Sequence, residues 1–344
     1  MFDIFGKKCG ADIYIDLGTA NTLVVAHGKG LIVNEPSVVA YRELGNGRKK
    51  ILAVGADAKE KMGRAPGNLI VTHPLVEGVI ADLDVTETML KYFLEKPGVI
   101  RFYKRPTVVI SLPYGVTDVE KKACVQAGLS AGAKHVFLID EPMASAVGAG
   151  LDVGQPKASM IIDIGGGTTG ITVIALAGIV CDQSIRIAGD EFTADIMEAL
   201  RRYHSLLIGE RTAEQIKINV GAAMKDLDNP PDDMPVNGRD LVTGIPKQIM
   251  VSYQEIAEAL DKSIFKIEEA ILKALETTPP ELAADIYRRG LYLTGGGALL
   301  RGLDKRLSAK IKLPVHVADD PLKSVVRGTG LALKNYQRFP FIMR

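Results

Sequence analysis

Hydrophobic positions along this chain follow two rhythms, and the shorter one appears first. Ile13-Tyr14-Ile15-Asp16-Leu17 is an apolar run that breaks at Gly18-Thr19-Ala20-Asn21-Thr22 and resumes, rich in β-branched residues, over 23–26. That is the pattern of strand, tight turn, strand. It recurs in the second half as Met160-Ile161-Ile162-Asp163-Ile164, a break at Gly165-Gly166-Gly167-Thr168-Thr169, and an apolar run over 171–175. In both copies an Asp near the strand end is followed by Gly and then by hydroxyls. A third short apolar strand ends in Leu293-Thr294-Gly295-Gly296-Gly297-Ala298, ahead of a helical pattern.

The longer rhythm predicts helices. Thr117-Asp118-Val119-Glu120 has the spacing of a capping box and opens a helix over 117–132. Over 253–275 apolar residues recur at Ile256, Ala259, Leu260, Ile264, Ile267, Ile271 and Leu275, and Thr277-Thr278-Pro279-Pro280 ends the run. A helix is also expected over 212–224, whereas Asn229-Pro230-Pro231-Asp232-Asp233-Met234-Pro235 is turn chemistry and marks a surface loop. The repeated strand units imply an α/β protein of two similar halves. Each would hold a sheet with a helix returning through a parallel crossover.

Composition narrows the picture without changing it. With 344 residues, 47% of them apolar, the chain has material for about two domains and a core in each. Its 42 Lys and Arg nearly balance 41 Asp and Glu, which leaves no global field for nucleic acid, so no nucleic-acid partner is expected. Cys9, Cys124 and Cys181 are scattered and odd in number, which suits a reducing cytoplasm. The five histidines show no pairing that suggests a transition-metal site. The longest apolar run, 171–181, is too short to span a bilayer, and the N-terminus lacks the core of a signal peptide. A location inside the cell is therefore expected.

A turn built from Gly and Thr exposes backbone N–H groups on its concave side and forms an anion site. An Asp beside a phosphate would repel it unless a cation lay between, so Asp16 and Asp163 are expected to share hydrated Mg2+ with a phosphate. One such turn is equally an ordinary hairpin; two with matched flanking strands argue for a polyphosphate held from both sides. The bare backbone of 295–297 can lie against a base or ribose.

These loops, in this order, resemble the ATPase fold shared by actin, Hsp70-type chaperones and sugar kinases. Within that group Thr19-Ala20-Asn21-Thr22, Val33-Asn34-Glu35-Pro36-Ser37-Val38, Asp140-Glu141-Pro142-Met143-Ala144, Ile208-Gly209-Glu210-Arg211-Thr212-Ala213-Glu214 and Thr294-Gly295-Gly296-Gly297-Ala298-Leu299-Leu300-Arg301-Gly302 resemble the MreB family of bacterial actin homologues. The likeness runs from about 12 to 335. It implies an actin-like (ribonuclease H-like) ATPase fold of two similar halves, each a mixed sheet flanked by helices, with ATP and Mg2+ between them. The first half would be 1–152 plus 322–344, with a small outer subdomain at 39–74; the second would be 153–321, with one at 189–254.

Hydrolysis further needs a group that positions water against the terminal phosphate. Glu141 follows the apolar strand Val136-Phe137-Leu138-Ile139 and precedes Pro142, where a strand passes into a helix, although a carboxylate there also suits the helix dipole. The resemblance implies that Glu141 is catalytic and that the Thr168 hydroxyl helps orient the water. It implies nucleotide contacts from Asp16, Gly18, Thr19, Ala20, Asn21, Asp163, Gly165, Gly166, Gly167, Thr168, Thr169, Gly295, Gly296, Gly297 and Ala298. Glu214 and Lys217 share one helix face; by themselves they read as a surface ion pair, and the resemblance implies that the pair lies over adenine and ribose. Two positions depart from the family pattern: Asp140 stands where Glu is common, and Gly170 where Glu follows the paired threonines, so the charge near the γ-phosphate differs.

Phe2, Ile4 and Phe5 beside Lys7 and Lys8, and Val99, Ile100, Phe102 and Tyr103 among Arg101, Lys104 and Arg105, suggest two weak anchors on an anionic membrane. For the second, core burial is an equal alternative. A polymer displaying many copies would make weak anchors sufficient. The family implies self-association into head-to-tail filaments on the inner face of the cell membrane, slow ATPase activity, cell-wall elongation proteins as partners, and a role in wall growth and rod shape. Rival readings on the same fold are a small-molecule kinase, an Hsp70-type chaperone, which would carry a peptide-binding domain after its ATPase portion, and a filament that positions plasmids or organelles.

Overall fold

The structure, a computed structural model, describes residues 13–44, 48–64, 67–97, 99, 105–334 and 342–343. The chain divides into two compact units, 1–158 with 174–180 and 322–344, and 159–173 with 181–321.

In chain order the first unit holds β1 (Ile13–Leu17), β2 (Asn21–Ala26), β3 (Gly30–Pro36), β4 (Val39–Leu44), β5 (Arg48–Val54), α1 (Ala56–Lys59), β6 (Ile70–Thr72), β7 (Leu75–Val76), β8 (Val79–Ile80), α2 (Leu83–Glu95), β9 (Thr107–Leu112), α3 (Asp118–Ser130), β10 (His135–Asp140) and α4 (Glu141–Gly148). The second is built mainly from β11 (Ser159–Ile164), β12 (Thr169–Ala175), β13 (Gly178–Ile185), α5 (Gly189–His204), β14 (Leu206–Leu207), α6 (Glu210–Val220), β15 (Met234–Asp240), β16 (Pro246–Val251), α7 (Tyr253–Thr277), α8 (Pro280–Arg289), β17 (Leu291–Thr294), α9 (Leu303–Ile311) and β18 (Val315–Val317). The chain then returns to the first unit through α10 (Ser324–Lys334) and β19 (Ile342–Met343).

The sheets repeat one design. The first runs β19-β10-β9-β1-β2-β3 and the second β13-β12-β11-β17-β18. In each, the Asp-bearing strand has its hairpin partners on one side and two later parallel strands on the other: β9 and β10 beside β1, β17 and β18 beside β11. A helix joins each parallel pair, α3 in the first and α9 in the second, as crossover geometry requires. Ile13, Ile15, Val24, Val108 and Ile110 from the first sheet are buried in one cluster with Met89, Leu90 and Phe93 of α2. Three-stranded sheets β5-β4-β6 and β14-β15-β16 complete the two units.

The capping box at Thr117 forms as its spacing predicts, with the Thr117 hydroxyl accepting from the Glu120 amide and the Glu120 carboxylate accepting from the Thr117 amide. The long helix starts one residue after its cap Ser252 and ends at Thr277, two residues past the expected 275. The helix expected over 212–224 is instead Glu210–Val220, because Gly221 turns the backbone to an extended ψ of 134°. Burial holds the Cys124 thiol neutral by raising it to about 12. No helix among the described residues is long and apolar enough to cross a membrane.

α4 and α10 pack through glycine. A Cβ on Gly148 would strike the Ser324 carbonyl, and one on Gly328 would strike the Ala144 carbonyl, so the two backbones touch. This contact fixes the helix that begins at Glu141.

Candidate functional site

In the first unit the site residues gather at the C-terminal ends of parallel strands. Asp16 of β1 lies opposite Ser111 of β9, and Ser111 opposite Ile139 of β10, two residues before Glu141 opens α4. The Ser111 hydroxyl donates to Asp16 Oδ1 at 3.1 Å. Adjacent strands are about 4.8 Å apart, so Asp16 and the start of α4 are separated by roughly 10 Å of sheet. Sites of open α/β sheets favour this edge.

The turn after Asp16 is braced from behind. Ser37 donates its hydroxyl to the Gly18 carbonyl at 2.6 Å and its amide to the Ala20 carbonyl at 3.0 Å, and it meets the Thr22 hydroxyl at 2.8 Å. The Thr19 hydroxyl accepts from the Gly78 amide at 2.9 Å, and His73 Nδ1 lies 3.3 Å from the Thr19 carbonyl. Gly18 has no room for a side chain, since a Cβ would sit 2.7 Å from the Asn21 carbonyl. These contacts occupy the carbonyls of Gly18, Thr19 and Ala20. The amides of the same three residues meet no acceptor among the described residues.

The turn after Asp163 is built to the same rule. Gly165 donates its amide to the Thr168 carbonyl at 2.9 Å, while the Gly165 and Gly166 carbonyls accept from Gly189 and Asp190 at the start of α5. The amides of Gly166, Gly167 and Thr168 meet no acceptor among the described residues. The Thr169 side chain points the other way, its hydroxyl donating to the Ile187 carbonyl at 2.6 Å, so that threonine secures the strand. Three consecutive amides left open beside a carboxylate are the arrangement an anion-binding nest requires, and each unit has one such turn.

Asp163, only 9% exposed, lies opposite Thr294 on the neighbouring parallel strand. The chain therefore enters the third glycine loop directly against that carboxylate. A Cβ on Gly295 would sit 2.5 Å from Asp163 Oδ1 and would also strike the Ile164 carbonyl. Gly295 has φ 78° and ψ 170°, a region essentially reserved for glycine, and residues 296–299 follow as one 3-10 turn containing the buried Ala298.

Glu214 and Lys217 are half-buried on one face of α6. Lys217 Nζ donates to the Gly189 carbonyl at 2.7 Å and to the Thr193 hydroxyl at 2.9 Å, which binds α6 to the first turn of α5. At its other end α6 is tied to the glycine loop: Arg301 Nη1 donates to the Ile218 and Gly221 carbonyls, and the Arg301 carbonyl accepts from the Ala223 amide at 2.8 Å. Arg306 adds a donor to the Ala223 carbonyl and an ion pair to the buried Glu268. One set of hydrogen bonds thus runs from the turn after Asp163 through α5 and α6 to the loop 295–302.

A model of the MreB/Mbl protein family matches residues 10–340. The chain belongs to the MreB/Mbl family. Its relatives include the cell shape-determining protein Mbl of Bacillus subtilis, 47% identical over 96% of this chain and 97% of that protein, and the cell shape-determining protein MreB of Escherichia coli, 48% identical over 94% and 93%. Among solved structures, MreB5 of Spiroplasma citri bound to AMPPNP superposes with a TM-score of 0.88 at 37% identity, over 95% of this chain and 96% of that one. A MamK double helical filament gives a TM-score of 0.76 at 22% identity, over 94% and 98%, and speaks to the fold alone. This MreB/Mbl protein is accordingly an actin homologue with an actin-like fold.

Ser37, Thr22, Ser111, His73, Gly78 and Arg301 join the site residues that local motifs point to. Thr22, Ser37 and Arg301 lie within segments that resemble the family, while Ser111, His73 and Gly78 lie in no local motif and are brought there only by strand register and loop packing. Val99 corrects one of the membrane assignments: it is 7% exposed and lies within the core cluster of the first unit, where it cannot face lipid. Phe2, Ile4, Phe5, Ile100, Phe102 and Tyr103 lie outside the described residues.

Proposed function

We propose that this protein is an ATP-binding, slowly hydrolysing cytoskeletal protein that polymerises head to tail into membrane-associated filaments and guides wall growth and rod shape. The observation that carries the nucleotide reading is the pair of turns, each offering three open amides beside a strand-end aspartate. Nucleotide bound to MreB5 and the cell-shape role in the names of Mbl and MreB support it.

The residues fit the cofactor pair. Open backbone amides suit phosphate oxygens, and Asp16 and Asp163 suit the waters of a hydrated cation. Among the described residues no group of three or more His, Cys, Asp and Glu could hold a metal by itself. Mg2+ would supply charge neutralisation at the terminal phosphates. The first unit would hold phosphate on its own turn and offer Glu141 to orient water; the second would hold phosphate on its turn, seat the base end between α6 and the loop 295–298, and offer the Thr168 hydroxyl. A Cβ on Gly170 would meet nothing within 4 Å, so this chain leaves open space where the family commonly places a carboxylate.

The peripheral membrane location and the wall-elongation partners belong to the same proposal, supported by family membership. The test is equilibrium binding of ATP with and without Mg2+, followed by phosphate release, in the purified protein and in Asp163→Ala. Mg-dependent ATP binding that the variant loses supports the reading. Binding unchanged in Asp163→Ala contradicts it.

A further inference from the structure

The small sheet of the first unit has a face whose chemistry the nucleotide site does not use. In the β4–β5 hairpin Arg42 lies directly opposite Lys50, and Leu44 opposite Arg48. Residues directly opposite, or two apart on one strand, share a face, so Arg42, Leu44, Arg48 and Lys50 stand together. All four are exposed. The register shift between Ala40 and Tyr41 leaves Leu52 without a cross-strand partner, and it is exposed as well.

Like charges placed opposite one another weaken a sheet. The usual remedy, an acidic neighbour, is missing: Arg42, Arg48 and Lys50 have no ion-pair partner among the described residues. Glu43 lies opposite Lys49 and faces the other way, where Lys49 is paired with Asp82 and lies 5.2 Å from the Tyr41 ring centre. The inner end of the same face is covered, with Ala40 and Ala53 packed around Ala58 of α1. The uncovered part of the sheet carries these three cations beside two leucines, exposed by 48% and 42%.

We infer that this face docks on anionic lipid headgroups, an inference that rests on the peripheral-membrane part of the proposed function. Charge complementarity calls for an anionic partner. The exposed leucines select a lipid surface over an acidic peptide, because the interface region accepts apolar side chains and anions together. With a net charge of +1 the chain as a whole is barely attracted to such a surface, so the local face decides orientation. Each basic residue near an anionic leaflet contributes about fivefold in partitioning, and three contribute roughly a hundredfold. Many copies in a filament would multiply the effect.

The test is co-sedimentation of the full chain with vesicles of phosphatidylcholine alone and of phosphatidylcholine mixed with phosphatidylglycerol. The variant is R42Q/R48Q/K50Q; the charge-matched control is K122Q/K262Q/K273Q, at exposed positions elsewhere. The expected result is binding of the wild type to the mixed vesicles only, lost about a hundredfold in the variant and retained in the control, with melting temperature and ATP affinity unchanged. A variant that partitions like the wild type, or a control that loses as much, overturns the assignment of this face. Lipid-free filament assembly lost together with lipid binding also overturns it, by giving the face to a second copy of the chain. A wild type that ignores both vesicles sinks the membrane reading itself.

Discussion

Replacing Gly295 by Ala tests whether the glycine loop is pressed against the Asp163 carboxylate. Two costs add. The backbone at φ 78° and ψ 170° disfavours any side chain by about 1–3 kcal/mol. The new methyl would sit 2.5 Å from Asp163 Oδ1 and against the Ile164 carbonyl, and overpacking of this kind costs about 1–3 kcal/mol. A total near 3 kcal/mol lowers the melting temperature of the affected unit by about 6–12 °C. Because the strain is relieved by moving β17 away from β11, ATP affinity should fall further than stability. Gly170→Ala is the internal control: its Cβ meets nothing within 4 Å, and its melting temperature should stay with the wild type. The assay is thermal unfolding beside titration with a fluorescent ATP analogue. Equal melting and equal affinity for Gly295→Ala and Gly170→Ala would refute the close packing of the glycine loop on Asp163.

Glu141→Ala should leave ATP bound while slowing phosphate release by about 100-fold or more, and Asp16→Ala should weaken binding only where Mg2+ is present; unchanged turnover in the first removes Glu141 from catalysis. Arg301→Ala should weaken ATP binding but spare inorganic tripolyphosphate, since Arg301 ties α6, the helix we propose to face the base, to the glycine loop; equal losses for both ligands would contradict that placement. Burial raises the Asp182 carboxyl above its ordinary value, with the Thr172 hydroxyl at 2.6 Å opposing the rise. The ionised form is therefore the penalised one in the folded state: the penalty is absent below the ordinary carboxylate range and grows as pH rises through the raised value. Asp182→Asn should thus raise the melting temperature at neutral pH and lose that advantage in acid, and a constant difference across pH would contradict burial as the cause.

The doubled strand-turn-strand unit is legible in the sequence because its pattern is local: alternation, an Asp, a glycine turn, and hydroxyls lie within ten or so consecutive positions. The matching order of the two sheets around β1 and β11 follows from that duplication. The bracing of the turns is not legible, since Ser37, Ser111 and Gly78 reach Gly18, Asp16 and Thr19 only through strand register and loop packing. The end of α6 misleads because Val220, Ala222 and Ala223 continue the apolar helical period; all three are buried, yet Gly221 and the Arg301 side chain end the helix. Val99 misleads for the opposite reason. Basic neighbours in the sequence suggest an exposed loop, while the residue itself fills core volume beside α2. In the glycine loop the composition signals a close backbone approach, but only the pairing of β11 with β17 shows that the surface approached is Asp163.

The most direct test of the cytoskeletal reading is electron microscopy of the purified chain on an anionic lipid monolayer with Mg-ATP, with Mg-ADP and without nucleotide. The expected result is filaments on the lipid that depend on nucleotide and disappear in Asp163→Ala. Monomers under all three conditions, in protein shown to bind ATP, would contradict that reading and leave a small-molecule kinase on the same fold as the better explanation.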